Sequence, residues 1–356
     1  MDAAMTASYL DEIREQPAML ARLATDPTTL DDIALQEVAA RLRDGDFDRV
    51  LLTGMGSSLH GLYPTFLQLS QSLPVPVCHV DCAELVQQVP EMVSRRSLMI
   101  AVSQSGESGE LVQLTKLPGL RPAIAIAVTN GRQNALSNWA DIRIASEAGP
   151  EATVSSKSYT GGLACLHLLS AALRGGMTQA RAALARAAAA CADMLADWEP
   201  RFAEVAGFLD PKAPLVFIGR GRSLASAQTA ALLTQEAAKL PCTALSGGQF
   251  RHGPIELVRP GFQLVAFLGD LKTRDIDMAL IEKVTGLGGK VVAVAPASAA
   301  PPAAAGLHLF TYPDVALPLT PLMEAVFIQL LQIPLASKRG FVAGTFTNAT
   351  KVTGIV

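Results

Sequence analysis

Short apolar runs alternate with longer stretches of helical periodicity along the whole chain. In the first half the runs are RVLLTG (49–54), VPVCHV (75–80), LMIAVS (98–103), AIAIAVT (123–129) and DIRIAS (141–146). In the second they are PLVFIG (214–219), FQLVAFL (262–268), KVVAVAP (290–296) and LHLFTYP (307–313). They are rich in Val, Ile and Leu, the composition of parallel strands covered on both faces. Strand–helix alternation of this kind predicts an α/β, doubly wound fold.

The two sets of runs are related. LLTGMGSSL (51–59) and VFIGRGRSL (216–224) both read apolar strand, Gly-x-Gly, polar residue, Ser, Leu, at an offset close to half the chain. We read a duplicated α/β domain, divided as residues 1–190 and 191–356. Between the halves, residues 177–209 are dominated by alanine with apolar positions at helical spacing, which predicts packing and connecting helix rather than linker. Residues 1–45 read as helix too. The halves differ chemically: SQSGES (103–108) follows one apolar run, and the matching place after FQLVAF reads LGDLKT.

Composition narrows the picture. The chain has 356 residues, a net charge of −3 and a pI near 6.0. No basic face is available for nucleic acid or anionic lipid, so neither partner is expected. The opening MDAAMTASYLDEIREQP carries acids and lacks the basic-then-apolar order of a signal peptide. No apolar run of about 18 residues predicts a membrane span. The five cysteines (Cys78, Cys82, Cys165, Cys191, Cys242) form no paired CxxC pattern and read as free thiols of a cytoplasmic protein.

The chemistry begins at SQSGES, where a core strand runs into three serines and a glutamine. In open α/β sheets ligands bind at the carboxyl ends of strands, where helix N-termini converge. GELVQLTKL has helical spacing, so a helix is expected to start at Ser105 or Glu107. Hydroxyls of Ser103, Ser105 and Ser108 and the amide of Gln104, set on the positive end of a helix, make a cup of neutral donors suited to a phosphate ester. GMGSS (54–58) adds a second strand-to-helix turn with Ser57 and Ser58. One serine would serve as a helix cap without any ligand; three hydroxyls and a glutamine in six residues go beyond capping. A dinucleotide site fits less well, since Leu59 and Leu224 stand where GxGxxG has its third glycine.

GSS, SQSGES, the KSYT turn (157–160), GGQFRHGP (247–254) and NATKVT (348–353), in this order, resemble the sugar isomerase, or SIS, family. The likeness is to the double-SIS isomerase half of glucosamine-6-phosphate synthase and to stand-alone glucosamine-6-phosphate deaminase/isomerases. It implies two tandem SIS domains, each a flavodoxin-like αβα sandwich with a mostly parallel sheet. It gives Ser58, Ser103, Gln104, Ser105 and Ser108 to the sugar 6-phosphate and Gly56 and Ser57 to the sugar. EATVSSKSYT (151–160) matches a family loop one residue longer and contributes Val154 and Lys157. Glu236, sixteen positions before the His of the His-Gly-Pro turn, is implied as the acid–base group that moves a proton between C2 and C1. His252 would open the sugar ring, reaching in from a partner subunit, so a homodimer is implied. Lys351 would form a Schiff base with the open ketose. No cofactor and no metal are implied.

There are departures. Met55 stands where the family often has Cys, Leu233 where a lysine is common, and the tail reads GTFTNATKVT. No glutaminase segment precedes residue 45, so deamination or plain isomerisation is expected in place of synthesis. Two classes of function follow: an amino-sugar phosphate deaminase/isomerase, or a non-catalytic sugar-phosphate sensor. The doubled domain and the presence of Glu236, His252 and Lys351 favour the enzyme.

Overall fold

The computed structural model describes residues 3–354. It contains two parallel five-stranded sheets flanked by helices, the α/β architecture that the alternating runs predict. The first sheet comprises β1 (Arg49–Gly54), β2 (Val77–Asp81), β3 (Ser97–Val102), β4 (Ile124–Thr129) and β5 (Ile142–Ala145), in the order β2-β1-β3-β4-β5. The second comprises β6 (Leu215–Gly219), β7 (Cys242–Ser246), β8 (Gln263–Phe267), β9 (Lys290–Pro296) and β10 (Leu307–Tyr312), in the order β10-β9-β8-β6-β7. Read from the other edge, the second order repeats the first strand for strand. The duplication seen in the sequence is therefore a duplication of topology, and β7 is the counterpart of β2.

Nine of these strands coincide with the apolar runs, with ends shifted by at most two residues. β7 does not, because CTALS has no run of branched apolar side chains. It is an edge strand paired to β6 alone, and none of its five residues is fully buried. Central strands, covered on both faces, must be apolar throughout; β3 is buried at all six positions.

The chain divides into two compact units. One contains the first sheet and comprises Ala18–Glu151, Lys157–Ala185 and the C-terminal stretch from Asn348. The other contains the second sheet and comprises the N-terminal stretch to Pro17, Ala152–Ser156 and Arg186–Thr347. The sequence boundary at 190/191 falls inside the alanine-rich helix Met177–Ala196, which Asp197 separates from a second helix, Trp198–Phe208.

In the first-sheet unit one face of the sheet is closed by Leu51, Met99, Ala101, Ala125 and Ala127 packed on Leu85, Leu111 and Leu136. The other face carries the helix Gly56–Ser70, which packs on the helix Lys157–Arg174. In the second-sheet unit, Leu264, Ala266, Val291 and Ala293 pack on Leu280, Ile281 and Val284.

The second-sheet unit has one further helix of note, Thr320–Lys338. The stretch Leu317–Lys338 is long and apolar enough to cross a bilayer, yet 89% of that window is buried inside the protein. Glu324 lies within it, fully buried, and accepts hydrogen bonds from Ser223 Oγ (2.8 Å), Ser226 Oγ, Gly269 N (3.2 Å) and Tyr312 Oη (3.5 Å). Burial pushes its carboxyl up to about 7, against the downward pull of the two serines.

Candidate active site

The site is built at the switch point of the first sheet, where β1 and β3 are neighbours but their following helices depart to opposite faces. β1 ends at Gly54, where any Cβ would sit 2.9 Å from the Val102 carbonyl oxygen of β3. Met55 then leads into the helix Gly56–Ser70, whose first residue takes φ +50°. Gly56 is exposed and Ser57 and Ser58 are half-buried, on the first turn of that helix. The helix is fifteen residues long and sets its positive end at this turn, with the Ser58 amide already donating to the Met55 carbonyl at 3.0 Å.

Across the switch point, residues 103–108 form a turn that uses its own hydroxyls. Ser103 Oγ accepts the Gly106 amide at 3.0 Å and lies 3.3 Å from Ser108 Oγ; Ser105 Oγ accepts the Glu107 amide at 3.1 Å. A hydroxyl that accepts from an amide keeps its hydrogen to donate, so a ring of such groups offers donors to an anion. The helix after this turn starts at Gly109, not at Ser105 or Glu107 as its sequence spacing implied. The reason is local: the serine–amide bonds hold residues 103–107 in a turn, with Gly106 at φ +67°.

Glu107 has a task invisible in the motif. Its carboxylate accepts the Ala135 amide at 2.6 Å, at the start of the helix Ala135–Trp139. A Cβ on Gly106 would fall 1.9 Å from Asn134 Oδ1, the atom that caps the same helix through Ser137 N at 2.8 Å. The cup is thus clamped to the β4 turn. Gln104 joins the clamp through its carbonyl, which accepts the Asn130 amide at 3.0 Å.

The C-terminal stretch belongs to this same unit. Thr353 O accepts the Gly109 amide at 3.0 Å, directly after the cup. Lys351 Nζ lies 2.5 Å from Glu151 Oε2, in a pair whose lysine side chain is 22% exposed and whose glutamate side chain is 0% exposed. Glu151 also accepts from Ser158 N at 2.9 Å and Ser158 Oγ at 2.5 Å. Burial alone would raise the Glu151 carboxyl, but the Lys351 ammonium and the Ser158 donors outweigh it and hold it below the usual carboxylate range. Glu151 opens the EATVSSKSYT stretch, and that position was the one sequence signal for it. Lys157, at the head of its helix, is buried, with its Nζ 3.6 Å from where a Gly149 Cβ would be.

Val154, Glu236 and His252 lie in the second-sheet unit. Val154 is buried, and its amide bonds the Gly344 carbonyl at 3.1 Å. Its stretch is pinned by Glu12, which accepts from Ala152 N (2.7 Å), Thr153 Oγ1 and Ser156 Oγ (3.1 Å). Glu236 sits half-buried in a single π-helical turn, Thr234–Ala238, closed by Lys239 at φ +54°. Lys239 Nζ donates to Glu236 O and to Thr345 O (2.7 Å). Turns of this kind concentrate at functional positions in helices. His252 ends the short helix Gly247–Arg251 and is exposed.

The second sheet's own switch point explains why only one copy is built as a cup. The turn after β6 repeats the positive φ of Gly56 at Gly221 (+53°). Asp270, in the LGDLKT turn, puts its carboxylate where Gly221 would carry a Cβ, 2.1 Å away, and accepts from Arg222 N (3.2 Å) and Lys272 N (3.3 Å). The Arg222 guanidinium lies 3.4 Å from the same carboxylate. A carboxylate, itself an anion, thus stands in the second copy's turn where the first has the neutral hydroxyl of Ser105. Among the described residues, no group of three His, Cys, Asp or Glu side chains is placed to hold a metal ion.

Two SIS domain matches, over residues 46–173 and 208–333, cover most of the chain, and the protein belongs to the SIS family. Its fold is that of the phosphosugar isomerases. Among curated relatives, glutamine–fructose-6-phosphate aminotransferase (isomerizing) of Pyrococcus horikoshii is 28% identical over 253 residues, 70% of this chain and 42% of the relative. Matches to further aminotransferases of this name have the same character, and the chain spans about half the length of the curated relatives it matches. Among solved structures, the C-terminal domain of glucosamine-fructose-6-phosphate aminotransferase from Francisella tularensis superposes with TM-score 0.80 at 19% identity, over 94% of this chain and 96% of that one. Glucosamine-6-phosphate deaminase from Thermotoga maritima superposes with TM-score 0.72 at 19% identity, over 97% and 99%.

Proposed function

We propose that the protein is a phosphosugar isomerase of the SIS family that acts on amino-sugar 6-phosphates, coupling aldose–ketose isomerisation to release of ammonia. One observation carries this reading: a cup of hydroxyls and helix-terminal amides suited to a phosphate ester lies in the same compact unit as Lys351, which is tied down beside it. A bare phosphate sensor needs the cup and has no use for a lysine fixed in the same unit. The relatives' names support isomerisation of a hexose 6-phosphate, and the name of one neighbour, glucosamine-6-phosphate deaminase, supports the release of ammonia.

In this reading Ser58, Ser103, Gln104, Ser105 and Ser108 hold the 6-phosphate, and Gly56, Ser57, Val154 and Lys157 serve the sugar. His252, from a partner subunit, moves the O5 proton and opens the ring. Glu236 takes the C2 proton and returns it to C1, turning the 2-amino aldose into a ketose imine; one carboxylate suffices because both carbons share a face of the intermediate. Lys351 attacks C2 and displaces ammonia, and water then frees the ketose 6-phosphate and the lysine.

The test is incubation with a panel of hexose and hexosamine 6-phosphates, following ammonia and aldose–ketose interconversion together. Stoichiometric ammonia and ketose from one hexosamine 6-phosphate is the expected result. Interconversion without ammonia reduces the protein to a plain isomerase, and binding without turnover makes it a sensor.

A further inference from the structure

Glu151 has no part in the steps above, yet its side chain is fully buried and its carboxylate touches the atom that would react. Nζ of Lys351 lies 2.5 Å away. Ser158 fixes the carboxylate through its amide and its hydroxyl, so the oxygen facing Nζ has a set direction. The Thr353–Gly109 bond holds the tail on the far side of Lys351. Lys157, the residue before Ser158, is buried too and heads the helix Lys157–Arg174.

We propose that Glu151 is the proton carrier for imine formation on Lys351; this rests on the Schiff-base role given to Lys351 above. A lysine paired with a buried carboxylate is an ammonium and cannot attack a carbonyl. Transfer of one proton from Nζ to Glu151 Oε2 gives a neutral amine next to a neutral acid. The nitrogen lone pair then forms the N–C2 bond while the C2–O π pair moves to oxygen, which takes the proton from the Glu151 acid and becomes a hydroxyl, leaving Glu151 a carboxylate again. The adduct nitrogen loses a second proton through Glu151, which delivers it to that hydroxyl; the C2–O bond breaks and water leaves. Two protons have passed from Nζ to the departing oxygen. Nitrogen is cationic at the start and at the end, and Glu151 begins and ends as the carboxylate. The buried anion therefore matches the ammonium and the iminium equally, and is mismatched only during the transfer.

The experiment is reductive trapping of fructose 6-phosphate by cyanoborohydride, read as the mass of the C-terminal peptide, in wild type, Glu151→Gln, Glu151→Asp and Ser158→Ala. Wild type is expected to trap at neutral pH. Glu151→Gln should trap at least a hundredfold more slowly there, within the 10²–10⁴ range of general acid–base groups. Its rate should climb as pH rises, because bulk hydroxide then deprotonates the amine instead. Glu151→Asp should recover part of the neutral rate, and Ser158→Ala should show a smaller slowing of the same kind. Binding of inorganic phosphate shows that each variant is folded. If Glu151 merely holds Lys351 charged, Glu151→Gln frees the amine and traps as fast as wild type or faster, which overturns the proposal alone. If wild type itself is not trapped, the Schiff-base reading falls, and this one with it.

Discussion

The hydroxyls of the cup divide by what each oxygen already does. Ser103 is buried and accepts the Gly106 amide, so Ser103→Ala leaves a buried donor unpaired and should cost about 1–3 kcal/mol of stability, read from a denaturant titration. Ser105 and Ser108 are half-buried, and replacing both by Ala should mainly cost affinity. Each charge-assisted hydrogen bond to a phosphate is worth about 1.5–3 kcal/mol, so calorimetry with a sugar 6-phosphate should show at least a tenfold loss. The Glu151–Lys351 pair adds a pH dependence. Its carboxyl is lowered in the fold, so what it contributes is present above the ordinary value of 4.5 and disappears as pH falls through the lower, folded value. Proteolysis of the tail should therefore accelerate in that acid range in wild type and be fast at every pH in Glu151→Gln. Glu324 has the opposite sign. Raised to about 7 from 4.5, it stabilises most below 4.5, and about 3 kcal/mol is lost as pH rises through 7. Glu324→Gln should flatten that slope in melts between pH 4 and 8.

At the level of elements, the cup depends on one backbone position. Gly106 combines φ +67° with a side-chain direction blocked by Asn134, so Gly106→Ala must move the turn or the helix it clamps. The expected result is a lower melting temperature together with weakened phosphate binding, whereas Gly131→Ala, with open space around it, should change little. Apolar runs revealed the six central strands because these are apolar on both faces, and the edges β2, β5 and β10 because each keeps an apolar run. The edge strand β7 was hidden because CTALS has no such run, although the repeat with β2 implied it. SQSGES was legible as a hydroxyl-rich turn between strand and helix. The partners of its members were not, because Glu107 reaches Ala135 and Lys351 reaches Glu151 across 28 and 200 residues of sequence. No local pattern encodes a contact of that separation. The helix start was misplaced for the same reason: serine–amide bonds compete with helix, and spacing alone does not show which wins.

For the whole molecule, duplication supplied two sheets of one topology, and the copies then diverged at their switch points. In one the turn carries neutral serine hydroxyls; in the other it carries the Asp270 carboxylate, bonded to Arg222 N and Lys272 N. A single phosphate-ester site per chain is the expected stoichiometry. The proposed dimer gives a second expectation. If His252 serves the partner's site, His252→Ala and Lys351→Ala chains, each inactive alone, should regain activity when unfolded, mixed and refolded together, because each mixed dimer contains one intact set. Absence of any recovery would place His252 in its own chain's chemistry.

The most direct measurement is turnover of glucosamine 6-phosphate in deuterated water, with ammonia assayed enzymatically and the sugar product read by NMR. Equal amounts of ammonia and fructose 6-phosphate, with deuterium at C1, is the expected result, and Lys351→Ala should release little or no ammonia. Neither ammonia release nor any exchange of the C2 proton, in a protein that still binds the sugar phosphate, would contradict an isomerase/deaminase role.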